Sequence, residues 1–138
     1  MSRKRGRVVD VSLAQVSNRL NFALQYAHVA RAEFMRRKSG VNIVAAGNAI
    51  LAGIAAADVL CIVHLRVRSA STNHSDAIAL VQEVNHEAAQ DLSVLLREKS
   101  QSHYGLAPVD AKTLTRMMRS MERLIHSASA AASSLNAR

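Results

Sequence analysis

The chain has 138 residues, of which 49% are hydrophobic and 20% charged, a length that suits one domain with its own core. Gly, Pro and Cys number five, one and one, which excludes collagen-like, low-complexity and disulfide-stapled classes. Eighteen Lys and Arg against ten Asp and Glu leave a net charge of +8, which favours a polyanionic or acidic partner.

The positive charge belongs to the two ends: residues 1–38 carry nine basic and two acidic groups, 105–138 five and two, and the middle is slightly negative. Aromatic residues make up only 3%, too few for a base-stacking platform, so contact with nucleic acid should be mainly to phosphate. The start of the chain (Met1, Ser2, Arg3, Lys4, Arg5, Gly6, Arg7) lacks the pattern of a secretory leader and leads to an expectation of a cytoplasmic protein.

Residues 1–10 read as a basic flexible arm, 11–132 as a helical domain and 133–138 as a frayed end. Apolar spacing is helical almost throughout, and no strand pattern is evident. The first helix, about Val11 to Lys38, carries the stripe Leu13, Val16, Leu20, Ala23, Ala27, Ala30, Phe34, with Asp10 or Ser12 as its cap. Ser39 and Gly40 stop it. Asn42 starts a second helix, apolar all round, that reaches Arg66 or Arg68.

That second helix is long enough to span a membrane. Its Ala and Gly content, with Asn48, Asp58 and His64 inside it, favours the buried centre of a bundle instead. Ala46, Ala49, Gly53 and Ala57 form a small-residue side that admits another helix closely, within the chain or across a dimer.

After the polar link Ser69 to Thr72, Asn73 and Asp76 make a plausible cap pair for a helix starting at His74. It runs to about Val84. Asn85 caps a fourth helix reaching Ser100, unless the two are one bent helix. Residues 101–109, with Tyr104, Gly105 and Pro108, form a loop, and Asp110 caps a last helix with the stripe Leu114, Met117, Met121, Leu124, Ala128. The expected fold is therefore all-α, an antiparallel four-helix bundle with an additional short helix.

Serine nucleophile elbows, Gly-rich phosphate loops and zinc pairs are missing from the sequence. Glu83 and His86 make one Glu-x-x-His pair where a di-iron bundle needs two. Met117, Met118 and Met121 read as core filler, and Cys61 as an inert buried thiol. No metal or cofactor is expected. Lys112, Arg116, Arg119 and Arg123 recur at spacings of three and four, either a track for phosphates or a solvated face.

The sharper constellation is Arg66, Arg68 and His74, which straddle the turn between the second and third helices. The start of the third helix could hold a phosphate at Asn73 to Ser75, with the Arg68 guanidinium as a second, planar donor. His74 would touch the same anion and, as a neutral imidazole, could take a proton from a ribose 2′-hydroxyl. Alternatively, Arg68 neutralises the last carbonyls of the second helix and His74 is merely exposed. Arg followed by His after four to six residues arises by chance roughly twice in such a composition. The chain has three such pairs, Arg97 with His103 and Arg119 with His126 being the others.

The stretch Gly53-Ile-Ala-Ala-Ala-Asp58-Val-Leu-Cys-Ile-Val-His64-Leu-Arg66-Val-Arg68-Ser-Ala-Ser-Thr-Asn-His74-Ser-Asp-Ala-Ile-Ala-Leu80, with Leu95-Leu-Arg-Glu-Lys99-Ser-Gln-Ser-His-Tyr104-Gly105, resembles a small actinobacterial-type HEPN domain. The similarity spans about Val41 to Ile125. It implies an all-α bundle whose Arg68 and His74 occupy the family's signature between two helices. It also implies a metal-independent endoribonuclease, often a toxin of a toxin–antitoxin or defence system, that dimerises so that two signatures share a cleft. An antitoxin or other protein partner is then expected, and no membrane.

One base and one acid are needed for 2′-hydroxyl attack while each chain supplies one such His, so a dimer also follows from the chemistry. The small-residue side of the second helix would suit the two-fold contact. Around the catalytic pair Arg68 and His74, the candidate binding or orienting residues are Arg66, Ser69, Asn73, Asp58 and Tyr104. Two departures stand out. Ser69 follows the signature Arg where active members commonly have Asn, Asp or His. Asp76 stands where some toxins of the family carry a modified Tyr. Asp58 is as readily paired with an Arg or His of the first or last helix as catalytic. A non-catalytic helical module that recruits RNA or a protein is the alternative.

Overall fold

The computed structural model describes residues 6–36, 42–97 and 109–136. Tyr104, the loop around Pro108, the first five residues and the stop at Ser39 and Gly40 lie outside these.

The described residues are mostly helical. Strand β1 (Val8–Asp10) leads into a 3₁₀ turn (Leu13–Gln15) and helix α1 (Val16–Arg36). Helix α2 (Asn42–Leu65) is followed by strand β2 (Val67–Ser69), then by α3 (His74–Gln82), α4 (His86–Arg97) and α5 (Ala111–Asn136). The third and fourth helices are separate, because Asn85 caps α4 with its Oδ1 on the Ala88 N–H at 3.0 Å. Helix α5 continues through Asn136, past the end at residue 132 read from the sequence.

Helix α2 forms the centre. Its most apolar 18-residue window has a mean hydropathy of 1.9, and 78% of that window is buried by the other helices. Gly53 is where packing is closest: a Cβ there would lie 2.3 Å from Leu95 Cδ1 and 3.4 Å from Leu124 Cδ1. Ala46, Ala49 and Ala57 are buried as well, so the small-residue side of α2 is covered from within the chain, which removes it as the dimer contact suggested by the sequence.

Helix directions follow from anchored pairs. Arg19 near the start of α1 bonds Asp58 near the end of α2, so these two run antiparallel. Asn42 Nδ2 donates to the Val109 carbonyl at 2.7 Å and Gly53 meets Leu124 further along, so α5 runs parallel to α2. Leu80, Leu92, Leu95, Met117, Met121 and Leu124 complete the core, and the expected filler role of the three methionines holds, Met118 being buried at its edge.

The strand pair corrects the expectation of no strands. Val8, Val9 and Asp10 pair antiparallel with Ser69, Arg68 and Val67. Flanking bonds run from Val11 N–H to the Arg66 carbonyl and from Ala70 N–H to the Arg7 carbonyl, each 2.8 Å. The end of the basic arm is thus tied to the α2–α3 connection. Asp10 lies in β1, and Ser12 holds the cap position of the 3₁₀ turn without a side-chain bond, so neither caps as the sequence suggested.

Candidate functional site

Arg66 ends helix α2. Its φ of +61° places it in the left-handed region, and its backbone N–H returns to the Ile62 carbonyl at 3.0 Å. Its guanidinium folds back on the same helix, Nη1 donating to the carbonyls of Ile62 and Val63. The carbonyl-neutralising role weighed for Arg68 therefore belongs to Arg66, whose side chain serves the helix end.

Strand β2 then alternates: Val67 is buried, Arg68 exposed and Ser69 half-buried. Arg68 lies opposite Val9 in the strand pair, and its side chain makes no ion pair or hydrogen bond among the described residues. Its charge still acts on Asp58.

Asp58 is buried, and Arg19 Nε and Nη2 approach its Oδ2 at 2.9 and 2.7 Å. The expected partner on the first helix is thus Arg19. Burial pushes the Asp58 carboxyl up from its ordinary value, partly offset by the charge and hydrogen bond of Arg19 and the charge of Arg68. Arg19 also covers Phe22, its guanidinium carbon 5.8 Å from the ring centroid. A narrow cavity of about 30 Å³ joins Asp58 to Ser69 and Ala77, connecting α2, the β2 strand and α3.

Ser71 organises the turn between Arg68 and His74. Its Oγ accepts from the Asn73 N–H at 3.0 Å and donates to Asp76 Oδ2 at 2.7 Å, while its own N–H donates to Ser69 Oγ at 3.3 Å. Asn73 caps α3 as expected, its Oδ1 accepting from the Ser75 N–H at 2.9 Å. Asp76 does not complete that cap pair; it serves Ser71 and packs on Gly6, where a Cβ would come within 2.4 Å of its Cγ. Gly6 itself has φ +73°.

This network revises the phosphate cradle drawn from the sequence. The N–H groups of Asn73 and Ser75 are already bonded, and Asp76 supplies negative charge at the dipole end where an anion would sit. His74, half-buried at the first position of α3, makes no side-chain hydrogen bond among the described residues. The structure thus gathers Asp58, Arg68, Ser69, Asn73 and His74 around one strand–helix connection, with Arg66 committed to the helix end and Tyr104 outside the described residues.

Sequence reasoning named neither Arg19 nor Ser71. Arg19 had a signal: it interrupts the apolar side of α1 beside Val16, Leu20 and Ala23, as Asp58 interrupts α2. Ser71 had none, because its role depends on the shape of the turn. Among the described residues no three His, Cys, Asp or Glu side chains are grouped to hold a metal. No protein-family model matches the chain, and neither a characterised protein nor a solved structure is significantly similar to it.

Proposed function

We propose that this protein is a metal-independent endoribonuclease of the HEPN type, a four-helix bundle acting on RNA in the cytoplasm as a homodimer. Its biological setting would be a toxin–antitoxin or defence system, with an antitoxin or other protein as counterpart. The observation that carries this reading is an exposed Arg68 and an uncommitted His74 on either side of a turn braced by Ser71.

In this reading Arg68 holds the scissile phosphate and offsets charge on the phosphorane. His74 of one protomer takes the proton from the 2′-hydroxyl, whose oxygen attacks phosphorus. The partner subunit's His74 donates a proton to the departing 5′-oxygen, leaving a 2′,3′-cyclic phosphate and a 5′-hydroxyl. Asn73 and Ser69 keep the turn in place, and the basic arm adds salt-sensitive affinity for the backbone.

The helices offer a face for such a dimer. Phe22 and Val29 on α1, and Val44 and Leu51 on α2, are 50%, 40%, 45% and 40% exposed and recur at seven-residue spacing on antiparallel neighbours. Phe22, Arg19, Asp58 and Arg68 link that face to the turn step by step.

The bonded Asn73 and Ser75 amides, the acidic Asp76 and Ser69 after Arg68 favour a second reading, a non-catalytic RNA-binding or protein-interaction module. Incubation with an RNA pool in EDTA, beside His74→Ala and Arg68→Ala, separates the two. Cleavage lost in both variants at unchanged circular dichroism supports the nuclease. Intact RNA with all three proteins, with dimerisation verified, supports the module.

A further inference from the structure

A groove of about 700 Å³ runs between the second half of α1 and the first half of α5, floored by Phe34, Met35 and Met118. Met35 is 70% exposed, the most of any large apolar side chain among the described residues, and Leu24 extends the same side of α1 with 38% exposure. From Leu24 to Met35 this stripe is about 16 Å long, three turns of a helix.

The charges around it are uneven. Arg31 and Glu122 bond each other through two contacts of 2.8 and 2.6 Å, and Arg123 bonds Asp91 at 2.8 and 3.0 Å, so both arginines are neutralised. Arg119 has no such partner among the described residues. It lines both the apolar groove and an adjoining concavity of about 620 Å³ where Lys112 and Arg116 face a single carboxylate, Asp110. A surplus of cations therefore borders an apolar floor containing two methionines, side chains that adapt to varied apolar surfaces.

We propose that this groove docks an acidic amphipathic helix of a partner protein, apolar face on Phe34, Met35 and Met118 and carboxylates toward Arg119, Arg116 and Lys112. An apolar floor does not suit an RNA backbone, whereas helix-in-groove recognition needs this combination of apolar anchors and complementary rim charge. The groove lies toward the end of the molecule where Asn42 meets Val109, and the Arg68–His74 turn follows the far end of α2. A docked helix would leave that turn open, so the inference does not depend on the nuclease reading.

The test uses the full chain and a fluorescein-labelled 15-residue helical peptide with Leu along one face and Glu on the other. Controls are the same composition shuffled to spread Leu around the helix, and a version with Lys for Glu. Saturable binding to the amphipathic acidic peptide is expected, weakened at least tenfold by Arg119→Glu and by Met35→Asp. Both sites are exposed, so the fold should survive, as circular dichroism will verify. Arg7→Glu, the same charge change at the other end of the molecule, should weaken binding less than twofold. Equal affinity for the shuffled peptide, no binding, or insensitivity to either groove substitution would overturn the proposal. So would RNA that displaces the peptide and itself loses affinity on Arg119→Glu.

Discussion

Removing the Arg19 side chain tests how a charge is kept inside an otherwise apolar helix. The Asp58 side chain is 10% exposed and its Oδ2 receives both Arg19 contacts, whereas Arg19 itself remains 30% exposed. Truncation of one partner of a buried pair leaves an uncompensated charge and costs about 3–5 kcal/mol. Partial exposure of Arg19 places Arg19→Ala toward the lower end, about 3 kcal/mol at pH 7. For a domain of this size that is a fall in Tm of roughly 10 °C.

The pH dependence has a definite sign. Because burial raises the Asp58 pKa, its native state holds the proton more tightly than the unfolded chain, and stability falls as pH rises through the folded value. Loss of Arg19 removes the main opposing influence and raises that value further. The penalty of Arg19→Ala is therefore larger above the folded value and shrinks as pH falls through it and Asp58 takes up its proton. Asp58→Asn should cost only about 1 kcal/mol, and in that background Arg19→Ala should cost about 1 kcal/mol or less. Urea unfolding of the four proteins at pH 4 and 7 reads this directly. A penalty under 1 kcal/mol, or one independent of pH and of residue 58, would refute the reasoning.

Other substitutions probe separate parts of the molecule. Gly53→Ala sets a helix-propensity gain of about 1 kcal/mol against an overpacking cost of about 1–3 kcal/mol at Leu95, so a change between neutrality and 2 kcal/mol destabilising is expected in urea. Gly53→Val should cost clearly more. Asn73→Ala should cost about 1 kcal/mol and speed hydrogen exchange at the Ser75 amide. The hydrogen bond from Arg31 holds the Glu122 carboxyl below the ordinary range, so its contribution is present above that range and fades as pH falls through the folded value. Both side chains are over 40% exposed, so Glu122→Gln should cost at most about 1 kcal/mol at pH 7 and progressively less as pH falls through the folded value, compared by urea midpoints.

Local signals in the sequence located the helices well. Asn73, Asn85 and Asp110 each cap the helix expected of them, and the unbroken apolar character of residues 42–65 marked the helix that the others surround. Non-local pairing was not legible. Strands of three residues are too short for a period of two to register, and each exists because α2 brings residue 67 back beside residue 10. The same return route brings Arg19 to Asp58.

Candidate residues around the turn were visible as a spacing, but their division of labour was not. Arg66 and Arg68 are two residues apart in sequence, and only the left-handed backbone at Arg66 turns one toward the α2 carbonyls and the other onto a strand. The Ser75 amide is taken by the legible Asn73 cap, but the occupancy of the Asn73 amide depends on Ser71 folding over the turn, a conformation that no pattern of residue types specifies.

The most direct measurement is analysis of the RNA ends produced in EDTA, using an oligonucleotide and its counterpart with a single 2′-deoxy substitution at the cleavage position. A 2′,3′-cyclic phosphate and a 5′-hydroxyl are expected, with no cleavage at the 2′-deoxy position and no products with His74→Ala. Cleavage that persists at the 2′-deoxy position, or in the His74 variant, would contradict the nuclease reading, as would intact RNA after incubation with the wild-type dimer.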